Sequence, residues 1–152
     1  MGKTKTYNVI IDFANENDID SIVRIEGECF CGEAWSREMI ESDFFKRSKY
    51  IVARNDYEEV IGYISMLDLD IEGEVLRVAV KKQYRRKGIA RQMINFLVDY
   101  LKERGYQKLY LEVKSTNAEA IALYENLGFV KFNERRNYYG EGEDAINYVL
   151  LI

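Results

Sequence analysis

The sequence contains no histidine and no proline, only two cysteines and a single tryptophan. Without histidine there is no Ser-His or Cys-His nucleophile pair, no imidazole base and no His-ligated metal. Proton chemistry then falls to carboxylates, tyrosine, lysine, cysteine or water. Cys29 and Cys31 cannot complete a zinc site by themselves, and no metal is expected. They read either as small apolar residues in a reducing compartment or as a reactive pair. With no proline, turns must rest on Gly, Asn and Asp. No run of about 18 apolar residues occurs, so no transmembrane helix and no membrane partner are expected. The stretch from Met1 to Asn8 is polar and lacks the apolar centre of a signal peptide, so a cytoplasmic protein is expected.

What is present is 152 residues with 47% hydrophobic content, which predicts one domain over residues 1–152 with a sizeable core. The net charge of −4 counts against a dedicated nucleic-acid module.

Tyr7 to Phe13 reads as a first strand. Ile19, Ile22, Val23, Ile25 and Glu26 read as a helix capped by Asn17 or Asp18, failing near Gly27 to Gly32. Ser36 caps a second helix carrying Met39, Ile40, Phe44 and Phe45. Strand signals follow over Tyr50–Ala53, Val60–Leu69 and Val75–Val80, with turns expected at Asn55-Asp56 and at Gly73. A long helix runs from Ile89 through Met93, Phe96, Leu97 and Leu101 and stops at Gly105. Leu109–Val113 is a strand, and Ala118–Leu127 is a helix with Asn117 at its cap and Gly128 past its end. Phe129–Tyr138 and Ala145–Leu151 form a final hairpin around Gly140-Glu141-Gly142. The order β-α-α-β-β-β-α-β-α-β-β belongs to the α+β class, a mixed sheet with helices on its faces.

The sharpest local feature is Val78-Ala79-Val80 leading through Lys81–Lys87 to Gly88, Ile89 and Ala90 at a helix start. The first amides of a helix lack intrahelical partners, and its dipole favours negative charge there. Lys81, Lys82, Arg85, Arg86, Lys87 and Arg91 surround that turn in an acidic protein. It reads either as a solvated basic loop or as a pyrophosphate site. A Walker loop and a three-glycine dinucleotide fingerprint are both absent.

Arg85-x-x-Gly88-x-Ala90 after Val78-Ala79-Val80 resembles the acyl-CoA signature of the GNAT superfamily of N-acetyltransferases. Leu111-Glu112-Val113, Asn117, Ala122-Leu123-Tyr124-Glu125, Gly128-Phe129, Arg136-Asn137-Tyr138-Tyr139 and Asp144-Ala145 follow at family spacing, and Cys29-Phe30 and Trp35-Ser36 fit upstream. The set is similar to the RimI branch of ribosomal-protein N-terminal alanine acetyltransferases and to archaeal-type N-terminal acetyltransferases. Lys82 and Ala34 stand where the family often has proline, and Ala90 where it more often has glycine.

The resemblance implies a single-domain fold with about seven mostly antiparallel strands, about four helices and splayed strands forming an acetyl-CoA cleft. It implies that Val78, Ala79 and Val80 pair with the pantetheine arm, as an added strand would. Val80 N–H would polarise the acetyl oxygen. Arg85 and the amides of Arg86, Lys87, Gly88, Ile89, Ala90 and Arg91 would hold the pyrophosphate, and Asn117 would bond the pantetheine. The acceptor would be a protein or peptide N-terminus, a ribosomal protein among the candidates. Tyr138, Tyr139 and the Glu33 loop would receive its first residues.

Read from the residues alone, Glu112 is either a solvent-facing strand residue or a base, sharing a face with Tyr110. Tyr124 is either core or acid, and Asn117 is a helix cap, a ligand contact or both. The resemblance makes Glu112 the general base, acting through water in a ternary complex, and Tyr124 the acid toward the leaving thiolate, besides a contact to the cofactor. An α-amine has a pKa of about 7.7–8.0 and a lysine about 10.4, so a carboxylate base leans toward α-amines by roughly 3.5 kcal/mol. For Tyr124 to act as acid, either its pKa is lowered or it only donates a hydrogen bond. The alternatives are a GNAT enzyme acting on a small amine or lysine, and a non-catalytic module binding CoA or nucleic acid.

Overall fold

The computed structural model describes residues 8–46 and 48–152. Strand β1 (Ile10–Phe13) pairs antiparallel with β2 (Ser48–Arg54), in register from Ile10↔Arg54 to Phe13↔Ile51. Tyr7, expected in the first strand, lies outside the described residues. Helices α1 (Ile19–Cys29) and α2 (Arg37–Phe44) come between them. Then follow β3 (Val60–Asp68), β4 (Glu72–Val80), α3 (Ile89–Glu103), β5 (Lys108–Lys114), α4 (Ala118–Asn126), β6 (Val130–Gly140) and β7 (Glu143–Leu151). The sheet has seven strands in the order β1-β2-β3-β4-β5-β7-β6. It is mostly antiparallel. Pairs β1–β2, β5–β7 and β6–β7 are antiparallel, whereas β4 and β5 run parallel in register from Glu72↔Lys108 to Val75↔Leu111. The element order, the α+β class and the four helices agree with expectation.

The chain forms two compact units. Among the described residues, the first is the chain up to Met66 with Arg77–Leu97, and the second is Leu67–Leu76 with Val98–Ile152. In the first, β2 and β3 are buried along nearly their whole length, as their unbroken apolar runs require. Ile22, Ile25, Ile40, Val52, Tyr63 and Ala79 make the core. Gly62 lets β3 and β4 approach closely, because a Cβ there would lie 2.9 Å from the Ala79 carbonyl oxygen. In the second unit β5 alternates: Leu109, Leu111 and Val113 are buried, while Tyr110 and Glu112 face the other way.

One local expectation is refined and one corrected. Asp18 is the cap residue of α1, one of the two expected, but its side chain makes no capping bond there; the side-chain cap is made one turn earlier, by Asn15. A short 3-10 turn (Glu16–Asp18) precedes the helix, and the Asn15 side chain accepts the Asn17 N–H while Asp18 accepts the Asn15 N–H. Asp18 is instead gripped bidentately by Arg54, at 2.8 and 2.7 Å. The turn expected at Gly73 lies upstream, where Asp70 takes a left-handed φ of 72° and its N–H donates to the Asp68 side chain. Asp tolerates that conformation, so glycine is not needed, and Gly73 sits inside β4. The Asn55 turn stands as expected: its side-chain oxygen accepts the N–H groups of Tyr57 and Glu59, both at 3.0 Å. Gly105 ends α3 with φ 76°, and the Tyr106 N–H donates back to Leu101.

Candidate active site

In the first unit, β4 leaves the sheet into the cation-rich turn. The Lys81 N–H donates to the Ile61 oxygen at 2.9 Å, which places it on the β3 side. Successive strand residues turn their amides to opposite sides, so Val80 N–H and C=O point away from β3. The Val80 oxygen accepts from Arg85 Nε at 3.0 Å and from the Cys29 thiol at 3.5 Å. Arg85, expected on the ligand, thus also ties the turn to the end of β4. Lys82–Tyr84 form a 3-10 turn, whose Tyr84 hydroxyl accepts from Asn55 Nδ2 at 3.2 Å. Arg86 and Gly88 are left-handed, with φ 62° and 78°. A Cβ built on Gly88 meets nothing within 4 Å. Its glycine therefore answers to backbone conformation as well as to open space above the helix start. The Gln92 N–H donates to Gly88 O, and the amides ahead of it stand at the N-terminus of a 15-residue helix. Lys87 and Gly88 are exposed, Ala90 and Arg91 half-buried, and Ile89 buried in the core. Cys29 is half-buried and Cys31 exposed, both as free thiols.

Glu33 lies on the exposed loop after α1. Its N–H donates to the Phe30 oxygen at 2.9 Å, and its carbonyl accepts from Arg77 at 3.0 Å. Arg77 also pairs with Glu26, a residue with 0% exposure. Sequence reasoning placed Glu26 on the helix but gave it no role, although an acid beside Ile22 and Ile25 on an apolar face was the signal.

In the second unit, Glu112 stands opposite Asn147 in the β5–β7 register. Its Oε1 accepts from Asn147 Nδ2 at 3.0 Å and its Oε2 from the Tyr139 hydroxyl at 2.7 Å. Asn133 Nδ2 donates in turn to Asn147 Oδ1 at 3.3 Å, which orients that amide. Arg135 Nε lies 3.8 Å from Glu112. So the structure brings together Glu112 and Tyr139, expected in separate roles, and adds Asn147, which sequence reasoning did not single out. Burial, and then Glu112, raise the Tyr139 pKa, so its hydroxyl stays a donor. Glu74 pairs with Tyr110 and therefore shares the Glu112 face. Burial raises its pKa, the charge of Glu112 adds to the shift, and Arg135 opposes it.

Tyr138 packs edge-on against Tyr139 at 5.2 Å, and the Arg135 guanidinium covers its ring at 4.7 Å. At the hairpin tip, Asn137 is left-handed and its side chain accepts the Gly142 N–H. Asn117 caps α4, accepting the Ala120 N–H at 3.2 Å, and the cap uses only its carbonyl oxygen. Tyr124 is buried against Phe129, and burial pushes its pKa up to about 12. That shift runs opposite to the lowered phenol pKa that is one of the two routes open to it as an acid.

The model of the acetyltransferase (GNAT) family matches residues 19–129. The chain is 46% identical over 92 residues to the [Ribosomal protein bS18]-alanine N-acetyltransferase of Escherichia coli (strain K12), covering 59% of this chain and 62% of that protein. It is 43% identical over 75 residues to an N-alpha-acetyltransferase of Saccharolobus solfataricus, covering 49% of this chain and 45% of the relative. The match thus spans less than two thirds of these relatives' own length. The crystal structure of the ribosomal-protein-S18-alanine N-acetyltransferase from Escherichia coli superposes with a TM-score of 0.88 at 31% identity, over 95% of this chain and 94% of that one. Signature, fold and family model agree along most of the sequence, and the chain belongs to the GNAT family of acetyltransferases.

Proposed function

We propose that residues 1–152 act as one cytoplasmic N-acetyltransferase domain that transfers acetyl from acetyl-CoA to the α-amine of protein N-termini, a ribosomal protein among the candidate acceptors. The observation that carries this reading is Glu112, a strand carboxylate held by the Tyr139 hydroxyl and the Asn147 amide, with the Arg135 guanidinium 3.8 Å away. These donors fix the orientation of the carboxylate on the strand face. In a chain without histidine, that base suits an α-amine, which near neutral pH is already partly unprotonated at a pKa of about 7.7–8.0.

Acetyl-CoA, when bound, supplies the acetyl group as an activated thioester. The left-handed pair Arg86 and Gly88, the open space at Gly88 and the helix start behind it suit a pyrophosphate. In this reading the amides of Arg86–Arg91 bind it, Arg85 braces the turn, and the main chain of Val78–Val80 takes the pantetheine arm. The Val80 N–H, directed away from β3, serves as the oxyanion donor. Asn117 contributes its carboxamide. Tyr124 donates a hydrogen bond rather than a proton. With its pKa near 12, full transfer to a thiolate with a conjugate acid of about 8.5 would be uphill by roughly 5 kcal/mol. Glu33 attracts the acceptor ammonium, and Tyr138 and Tyr139 contact its first residues.

The test uses one lysine-containing peptide with a free and with a blocked N-terminus. Acetylation of the free form alone, mapped to the α-amine by mass spectrometry, is expected. Equal rates on both, with the group on lysine, overturn the N-terminal reading in favour of a side-chain acceptor.

A further inference from the structure

A carboxylate on the core face of a helix costs several kcal/mol unless paired and hydrogen-bonded. Glu26 is fully buried and meets three donors. Its Oε2 accepts the backbone N–H of Trp35 at 2.8 Å and Arg77 Nη2 at 3.0 Å, and its Oε1 accepts the Tyr63 hydroxyl. Burial, and then Glu26, raise the Tyr63 pKa, so that hydroxyl remains a donor. Arg77 does more than neutralise. The same Nη2 donates to the Glu33 carbonyl at 3.0 Å, and the guanidinium lies 4.1 Å from the Phe30 ring centre and 4.5 Å from that of Trp35.

These contacts converge on the loop after α1. Residues 31–34 are all exposed, and Gly32 has a left-handed φ of 82°. Those loop residues bury almost nothing of their own, so their order depends on their anchors. The Glu33 N–H to Phe30 and the Cys31 thiol to Gly27 tie the loop to the end of α1, and Phe30 and Trp35 pack on the core; across the fold, the rings of Phe30 and Trp35, the Trp35 amide and the Glu33 carbonyl all meet Arg77 or Glu26. Replacing such a buried pair with apolar groups is often neutral for stability. What the pair supplies is geometry, because a planar guanidinium can stack on rings and donate to two oxygens at once. Arg77 also directly precedes Val78–Val80, so the loop is tied to the base of the strand read above as the pantetheine contact.

We propose that Arg77, fixed by Glu26, is a positioning residue for acceptor specificity: it holds the Phe30–Trp35 loop so that Glu33 meets the acceptor's ammonium group. The inference rests on the reading of Glu33 as an acceptor contact.

Trp35 is the only tryptophan, so its emission reports the loop without any assay of activity. Two variants are measured. Arg77→Lys keeps a cation against the buried carboxylate but loses the stacked, two-oxygen fork. Arg77→Met combined with Glu26→Gln removes both charges and so strands neither, which keeps a folded variant in hand if one fails. In each, Trp35 should be quenched more readily by acrylamide and emit at longer wavelength. Peptide KM should rise about tenfold, with kcat and acetyl-CoA KM within about twofold, the mark of lost uniform binding rather than lost chemistry. Unchanged quenching overturns the clasp. Freer quenching with an unchanged peptide KM overturns its role in acceptor binding. A wild-type protein that acetylates no peptide N-terminus refutes the functional reading, and with it the acceptor role, while the quenching comparison still decides whether Arg77 orders the loop.

Discussion

The turn at Arg85–Arg91 and the acid at Glu112 both manage charge, by different means. The turn relies on the main chain: left-handed Arg86 and Gly88, a helix start, and a brace from Arg85 to the Val80 oxygen. Glu112 relies on side chains from other strands, Asn147 on β7 and Tyr139 on β6, each at a single atom. A backbone device tolerates the loss of one side chain and fails when a dihedral angle is forbidden. A side-chain device is sensitive to single atoms. Substitutions that separate conformation from charge and donor from ring therefore test the contrast.

The largest effect is expected at Gly88. Gly88→Glu places a side chain at φ 78° and a negative charge at the helix start, so acetyl-CoA should no longer raise the melting temperature at any practical concentration. Wild-type stabilisation by the ligand would move the site elsewhere. Next is Glu112→Gln, which keeps the shape of both hydrogen-bonded partners. Turnover should fall by about 10²–10³, most strongly below pH 8 where more amine is protonated, with acetyl-CoA affinity unchanged. A flat, wild-type profile from about pH 6 to pH 9 would leave Glu112 a surface residue.

These two positions also mark how far the sequence could be read. The turn at Gly88 and the outward face of Glu112 were legible because their signals are local: a strand-turn-helix with clustered cations, and a strict alternation along β5. The Gly105 stop and the Asn117 cap were legible for the same reason. The partners of Glu112 were not. Tyr139 and Asn147 reach it through the hairpin's register with β5, including irregularities between Lys131/Asn133 and Arg135/Gly140 that no spacing rule reveals. The Asp70 turn was hidden because an aspartate took the conformation usually credited to the nearby glycine. Glu26 was visible as an acid in an apolar stripe, but its partner Arg77 lies 51 residues away.

A smaller effect is expected at the donors. Tyr139→Phe keeps the ring against Tyr138 and removes one donor to Glu112. A carboxylate that loses a donor is held less firmly in its orientation, so kcat should fall about tenfold while acetyl-CoA affinity is unchanged. Tyr139→Ala should add a rise in peptide KM and leave that for acetyl-CoA nearly unchanged. If Phe and Ala behave alike, the ring contributes nothing to the acceptor. Tyr124 gives a further check. With its pKa at about 12, the wild-type rate should show no alkaline fall from this group up to about pH 10, and Tyr124→Phe should lower kcat without changing the shape of the profile. An alkaline limb that disappears in Tyr124→Phe would mean that ligand binding lowers the phenol's pKa.

The smallest effect should come from the most conspicuous charges. Lys87 is exposed beside Gly88, so water and salt screen its charge. Lys87→Gln leaves the backbone of the turn as it is and removes one of several positive charges, so acetyl-CoA affinity should weaken only a few-fold at low salt. The interaction is screened over about 8 Å at physiological ionic strength and about 3 Å at 1 M, so the difference from wild type should shrink toward none as salt is added. Gly88→Glu should not recover in parallel, because salt can screen its charge but cannot relieve its φ. Calorimetric titration of both variants across a salt series separates the two contributions. If Lys87→Gln is as damaging as Gly88→Glu, and stays so at high salt, the turn holds its ligand through side chains and the contrast with Glu112 disappears.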